Sequence, residues 1–336
     1  MRLAHVRERN APAGAPWRLV AALAEGGWLD LEAARRRAIA HDRTLEHDSG
    51  LFRQPVTTLD DGLRRGFRVA AYGELLDRFE QRDEDDAILD ADTLRFGPPV
   101  LAPPSFRDGY GFEQHVGMMW KRRGQDVPEA WYRLAVFYFS NVSELRGPDD
   151  AVWAPAGSEE LDFEIEIGAL IDTPARDLTA ERGEDAIGGY MILNDWSARD
   201  LQRDETTVRL GPAKGKDFAT SIGPWLVTPD ELEDARKGNG FDLEMTVTVN
   251  GEETSRGRWS EIVHGFGALA SRASADVTLR PGELLGSGTV GTGCLLEIRE
   301  QTLGRYLRPG DEVVLTVDRL GTLRNPVVAR PKLTDS

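Results

Sequence analysis

The chain has 336 residues, 40% of them hydrophobic, which fits a large folded core and not a disordered polymer. Against 41 Lys+Arg stand 57 Asp+Glu, a formal net charge of -16 that argues against nucleic acid or an anionic membrane as partner. No apolar run approaches the roughly 20 residues of a membrane span, the start MRLAHVRERN lacks an apolar signal core, and the single cysteine, Cys294, excludes an internal disulfide and suits a reducing compartment, so a cytoplasmic location is expected.

In the first 95 residues, RLVAALAEGGWLDL reads as two strands around a Gly-containing turn and LEAARRRAIAH as a helix. The charged run RFEQRDEDDAILDAD, read as a solvated face, leads into FGPPVLAPP, whose four prolines cannot sit inside a helix or a central strand. A boundary is expected near Gly97, separating a small N-terminal α+β domain (1–96) from a larger domain (97–336). In SFRDGYGFEQHVG, Asp108 and His115 are seven residues apart and would share one face of an ideal helix, although Gly109 and Gly111 weaken its first turn.

Beyond the prolines strand signals dominate: YRLAVFYFSNVS, LDFEIEIGALI, YMILNDWS, GPWLVT, FDLEMTVTVNGEE, VTLRPGELLGSGTVG and DEVVLTVDRLG are rich in β-branched and aromatic residues and punctuated by Gly, Pro, Asn and Asp. The Asn-Gly of VTVNGEE predicts a hairpin, and SEIVHGFGALASRASA a helix. The fold class is therefore mainly β with peripheral helices.

LDFEIEIG places Asp162, Glu164 and Glu166 on one face of a strand, with Phe163, Ile165 and Ile167 on the other. Such a row is either a solvated acidic face with positive charges among it or a divalent-cation site. In NDWSARDLQRDE, Asp195 stands at the end of a buried strand, where a functional carboxylate can reach a crevice, whereas Arg199 and Asp200 can simply pair with each other. GPAKGKDFATSIGPW sets Lys216 in a glycine-containing loop followed by Thr220, without the spacing of a nucleotide-binding loop. His5, His41, His47 and His264 have no paired ligand spacing and read as surface or structural residues; Cys294, Trp196 and Trp225 read as packing residues.

D-x-Y-x-x-x-x-H, E-x-E, NDWSARDLQ, G-K-x-F-x-T-S-x-G-P-W and GSGTVGTGCLLE follow one another as in the fumarylacetoacetate hydrolase family, which residues 100 to 325 resemble. The resemblance implies a mixed β-roll or sandwich around a divalent metal, Mg²⁺ first with Ca²⁺ or Mn²⁺ possible, in a homodimer acting on a small oxo-acid. It assigns Asp108, Glu164, Glu166 and Asp195 as metal carboxylates, with Lys216 and Thr220 beside the metal. Lys216 would hold an oxyanion, His115 would be the catalytic base and Glu297 its orienting carboxylate. Tyr110 and Gln202 would bind substrate. The family's substrate-binding arginine has no secure match, leaving Lys121, Arg122 and Arg123 as candidates, and Thr206 stands where a substrate-contacting tyrosine is expected. Asp162 receives no role beyond a structural one. The implied reaction is hydrolysis of a C–C bond in a fumarylacetoacetate-like or acylpyruvate-like β-diketo acid. An isomerase or decarboxylase on the same metal, or a non-catalytic metal-binding member, are the alternatives.

Overall fold

The computed structural model describes residues 1–12, 14–47, 50–79 and 86–332; part of the charged run before the prolines lies outside them. The fold is sheet-dominated and mixed, with helices at its margins, as the strand signals predict. A twelve-stranded sheet runs, in spatial order, through Ile88–Leu89, Trp28–Asp30, Arg18–Ala22, Arg2–Glu8, Thr220–Val227, Ile187–Asp195, Ile165–Ile171, Leu284–Gly286, Phe106–Gly109 and Phe137–Ser140, with two short strands off this path. Neighbours on the path are antiparallel, except that Leu284–Gly286 runs parallel to Phe106–Gly109. A second, antiparallel sheet orders Glu252–Arg258, Glu244–Val249, Glu312–Val317 and Gly321–Pro326. Its hairpin turns at Asn250 and Gly251, with φ of 54° and 83°, the left-handed pair that Asn-Gly adopts readily.

The two sheets pack face to face because their alternating residues meet. Ile165, Ile167, Ala169, Tyr190 and Ile192 share a core with Met245, Val247, Val249, Val313 and Leu315. The opposite face of the large sheet is covered too: Leu170, Met191, Leu193, Ile222 and Leu226 pack with Leu3, Leu29, Leu59 and Tyr72. Strands covered on both sides read as near-continuous apolar runs, which is why YMIL and ALI stand out in the sequence.

The N-terminal region is joined to the rest by more than the proline segment. Arg2 and Leu3 pair with Val227 and Leu226, and the Val69 amide donates to Asp172 at 2.9 Å. His5 is fully buried, its Nδ1–H donating to the Pro98 carbonyl at 2.9 Å and its Nε2 accepting from the Leu59 amide at 3.0 Å. Among the described residues no helix is long and apolar enough to cross a membrane.

Four local expectations are corrected. LDFEIEIGALI is not one strand: Leu161–Asp162 pairs with Ser197–Ala198, and the large-sheet strand resumes at Ile165. The start of YRLAVFYFSNVS is the end of a short helix, Glu129–Arg133, and only Phe137–Ser140 is strand. The helix in SEIVHGFGALASRASA begins at Phe266, after Gly265. Asp108 and His115 do not share a helix: Asp108 is in the Phe106–Gly109 strand, and the helix carrying His115 starts at Glu113, because Gly109 and Gly111 lie tight against neighbouring carbonyls.

Candidate active site

The large sheet delivers three carboxylates to one place. Alternation puts Glu166 and Asp195 on the face opposite Ile165 and Ile192, and Asp108 comes two strands further on, opposite Gly286. One oxygen from each of Asp108, Glu166 and Asp195 lies within 4.8 Å of the others, and all three residues are buried. The Gly288 amide donates to Glu166 at 3.0 Å and the Tyr138 hydroxyl to Asp195 at 2.7 Å. Asp108 Oδ1 and Asp195 Oδ1 are buried with no hydrogen-bond partner. Gly286 is what lets them approach: a Cβ there would stand 2.1 Å from Asp108 Oδ1 and 3.1 Å from Glu166 Oε2.

Burial, reinforced by the charge of Asp195, pushes the Asp108 carboxyl up to about 8. Burial and Asp108 push Glu166 well up, and burial raises Asp195 against the pull of Lys216. Carboxylates held toward the neutral form, two with uncommitted oxygens, are what a hard divalent cation ionises and binds. The residues fit such an ion, with Asp108, Glu166 and Asp195 as the groups that would hold it.

The positive charges expected among the acids are Lys216 and Arg199. Lys216 Nζ donates to Glu164 at 2.6 Å and to Asp195 at 2.5 Å. Arg199 donates through Nε to Asp162 at 2.8 Å and lies 2.6 Å from Glu164. Burial opposes ionisation of Glu164, but Lys216 and Arg199 outweigh it and hold its carboxyl well below the usual range. Glu164 is thus paired with two cations and stands outside the converging triple. Asp195 and Glu164 overcome burial and keep Lys216 an ammonium beside the converging carboxylates. Arg199 does not pair with Asp200, which instead accepts from the Ser158 hydroxyl at 2.6 Å and the Glu159 amide at 2.8 Å. Asp162 anchors the short Leu295–Ile298 helix, accepting from the Leu295 and Leu296 amides at 2.7 and 2.9 Å.

Beside this cluster, His115 Nδ1–H donates to Glu297 Oε1, and Glu297 Oε2 accepts from the Thr292 amide at 2.5 Å. The pairing leaves Nε2 as the basic nitrogen. Thr292 is held at φ 66°, a costly conformation for a β-branched residue, and that turn aims its amide at Glu297. The Tyr110 ring packs edge-on against His115 at 5.5 Å between centroids. Cys294 is buried, as expected of a packing thiol, and its sulfur lies within 4.8 Å of His115 and Glu297.

Thr220 is buried at the strand start, in register with Asp195. Gln202 is half-buried and accepts from Arg199 Nη1 at 3.0 Å. Lys121 and Arg122 are exposed on the last turn of the His115 helix, with Arg123 over the Trp120 ring at 5.4 Å. Thr206 is exposed, its hydroxyl donating to the Arg203 carbonyl at 2.9 Å. His41 and His47 are exposed, while His264 is buried with Nε2 2.6 Å from the Trp131 carbonyl. Arg199, Tyr138, Gly286 and Thr292 were not singled out as site residues. Of these, Arg199 had a signal, lying inside the NDWSARD motif four residues after Asp195.

Residues 105–328 match the family model described as fumarylacetoacetate (FAA) hydrolase, C-terminal. Protein Rv2993c of Mycobacterium tuberculosis is 32% identical over 240 residues, 71% of this chain and 80% of that protein. The 2,4-didehydro-3-deoxy-L-rhamnonate hydrolase of a Sphingomonas species is 33% identical over 195 residues, 57% of this chain and 64% of that one. Among solved structures, the 5-carboxymethyl-2-hydroxymuconate delta-isomerase of Mycobacterium smegmatis superposes with a TM-score of 0.64 at 23% identity, covering 98% of this chain and 100% of that chain.

Proposed function

This chain belongs to the fumarylacetoacetate hydrolase family, and from that premise we propose that it is a metal-dependent hydrolase cleaving a C–C bond in an acylpyruvate-like or fumarylacetoacetate-like β-diketo acid. The observation that carries the reading is the convergence of Asp108, Glu166 and Asp195, with two uncommitted buried oxygens, on a site that also contains the Lys216 ammonium. Asp108, Glu166 and Asp195 would hold a divalent cation, Mg²⁺ by preference, which when bound would supply Lewis acidity to the substrate's carbonyl chemistry.

The chain's own residues supply the rest. Lys216 adds a fixed positive charge where the leaving enolate develops its negative charge, in surroundings that burial makes more effective than water. His115 Nε2 takes a proton from water as its oxygen bonds to the carbonyl carbon. The C–C bond then breaks with its electron pair passing to the enolate, and His115 returns the proton to carbon, giving a carboxylic acid and an oxo acid, a 2-oxo acid from an acylpyruvate and a 3-oxo acid from fumarylacetoacetate. Glu297 holds the imidazole in the tautomer this requires. Tyr110 and Gln202 would meet the substrate, and Arg199 orients Gln202 through its amide oxygen.

The test is a panel of acylpyruvates and fumarylacetoacetate, followed by loss of diketone absorbance with and without Mg²⁺ and with His115→Ala. Turnover is expected only with metal and an intact His115. Turnover that survives both omissions overturns the mechanism, and isomerisation of a small oxo-acid without bond cleavage assigns the site to the isomerase alternative.

A further inference from the structure

Three consecutive amides, of Ala213, Lys214 and Gly215, donate to one carboxylate, Glu205, at 2.9, 2.6 and 3.2 Å. The next residue is Lys216. Convergent backbone N–H groups make an anion-binding concavity, and here the chain fills it with its own side chain. Burial opposes the charge on Glu205, and the three amides outweigh it, holding the carboxyl below its usual range. Glu205 sits in the Arg199–Thr207 helix that also carries Arg199 and Gln202. The loop is pressed onto that helix: a Cβ on Gly215 would stand 2.8 Å from Gln202 backbone atoms, and the Gly215 carbonyl accepts from the Ala198 amide at 2.8 Å. Glu205 therefore ties the loop bearing Lys216 to the helix bearing Arg199, and these two cations share Glu164.

We propose that Glu205 is a positioning residue: an internal anion that latches the 213–215 loop and so sets where the Lys216 ammonium stands relative to Glu164 and Asp195. Its catalytic consequence rests on the role given to Lys216 under the proposed function; the latch itself does not.

Two measurements on the full chain separate the two. In the first, amide hydrogen exchange of Ala213, Lys214 and Gly215 is followed in wild type, Glu205→Gln and Glu205→Ala, with and without added formate. Exchange is expected to be slow in wild type, intermediate in Glu205→Gln, about 10-fold or more faster in Glu205→Ala, and slowed again when formate enters the vacated concavity. Unchanged exchange in Glu205→Ala overturns the latch. In the second, kcat and KM are measured on an acylpyruvate turned over by wild type. Glu205→Ala should lower kcat more than KM changes, and formate should restore it. Lys216→Met should lose turnover that formate does not restore, and the double variant should be no slower than Lys216→Met alone. Full kcat in Glu205→Ala beside an inactive Lys216→Met overturns the positioning role; full turnover in Lys216→Met instead refutes the role given to Lys216, leaving the exchange result to decide the latch.

Discussion

Gly286→Ala tests the convergence of the carboxylates without touching any of them. Gly286 lies outside the left-handed region, so alanine should be tolerated by the backbone or favoured by about 0.4–1 kcal/mol. What it cannot tolerate is the neighbour, since the new methyl would lie 2.1 Å from Asp108 Oδ1, and the carboxylate must retreat by about 1 Å or more to restore contact distance. A displacement of that size is worth about 100-fold at a site that depends on geometry. At an ion concentration about 100 times its Kd, wild type gains about 2.7 kcal/mol, which at the usual unfolding entropy per residue raises Tm by about 4 °C. With Kd about 100-fold weaker, the same ion contributes about 0.4 kcal/mol and less than about 1 °C. Thermal melts with and without Mg²⁺, supported by calorimetric titration, read this directly. A variant that keeps the full metal-dependent shift refutes the assignment of Asp108 and Glu166 to a common ion.

Arg199→Met leaves Asp162 buried without its cation and Glu164 with Lys216 alone, and should lower stability by about 3–5 kcal/mol in urea denaturation, far more than an exposed arginine. Glu297→Ala removes the acceptor for His115 and for the Thr292 amide; kcat should fall by about 10²–10⁴ while Mg²⁺ affinity by titration stays at the wild-type value. Burial lowers the His5 pKa, with the Pro98 carbonyl pulling the other way, so the unfolded chain binds the proton more readily than the folded one. Stability should then be complete above about 6.5 and be lost as pH falls below it. Melts from pH 7.5 to 5 should show a steeper fall for wild type than for His5→Asn. Mg²⁺ binding should release protons near neutral pH, because Asp108 and Glu166 must ionise, and titration in buffers of different ionisation enthalpy measures the release.

Local chemistry was legible and long-range geometry was not. The Asn250–Gly251 turn follows from two residues that accept positive φ, and alternation correctly put Asp162, Glu164 and Glu166 opposite Phe163, Ile165 and Ile167, whose side chains join the inter-sheet core even where the strand is interrupted. Arg199 was misjudged because its chain neighbour Asp200 offered an easy partner. Successive helical residues point about 100° apart, and the actual partners are 37 and 35 positions away in sequence. Gly286 carried no local mark at all: its need for a missing side chain arises only when strands distant in sequence bring Asp108 and Glu166 against it. The division among the four acids was not legible, since only folding decides that Glu164 faces two cations while Asp108, Glu166 and Asp195 converge on one another beside Lys216.

The large sheet crosses the start of the family-matched segment at residue 105 without a break, for Arg2–Glu8 is the hydrogen-bonded neighbour of Thr220–Val227. Cutting the chain at that point would strip Leu226, Ile222 and Leu193 of their cover and lay open a row of unpaired backbone groups next to the strand that ends in Asp195. Such a margin recruits other chains, so the shortened protein should be recovered as aggregates, and the first hundred residues serve as the selvedge that keeps the fabric from fraying.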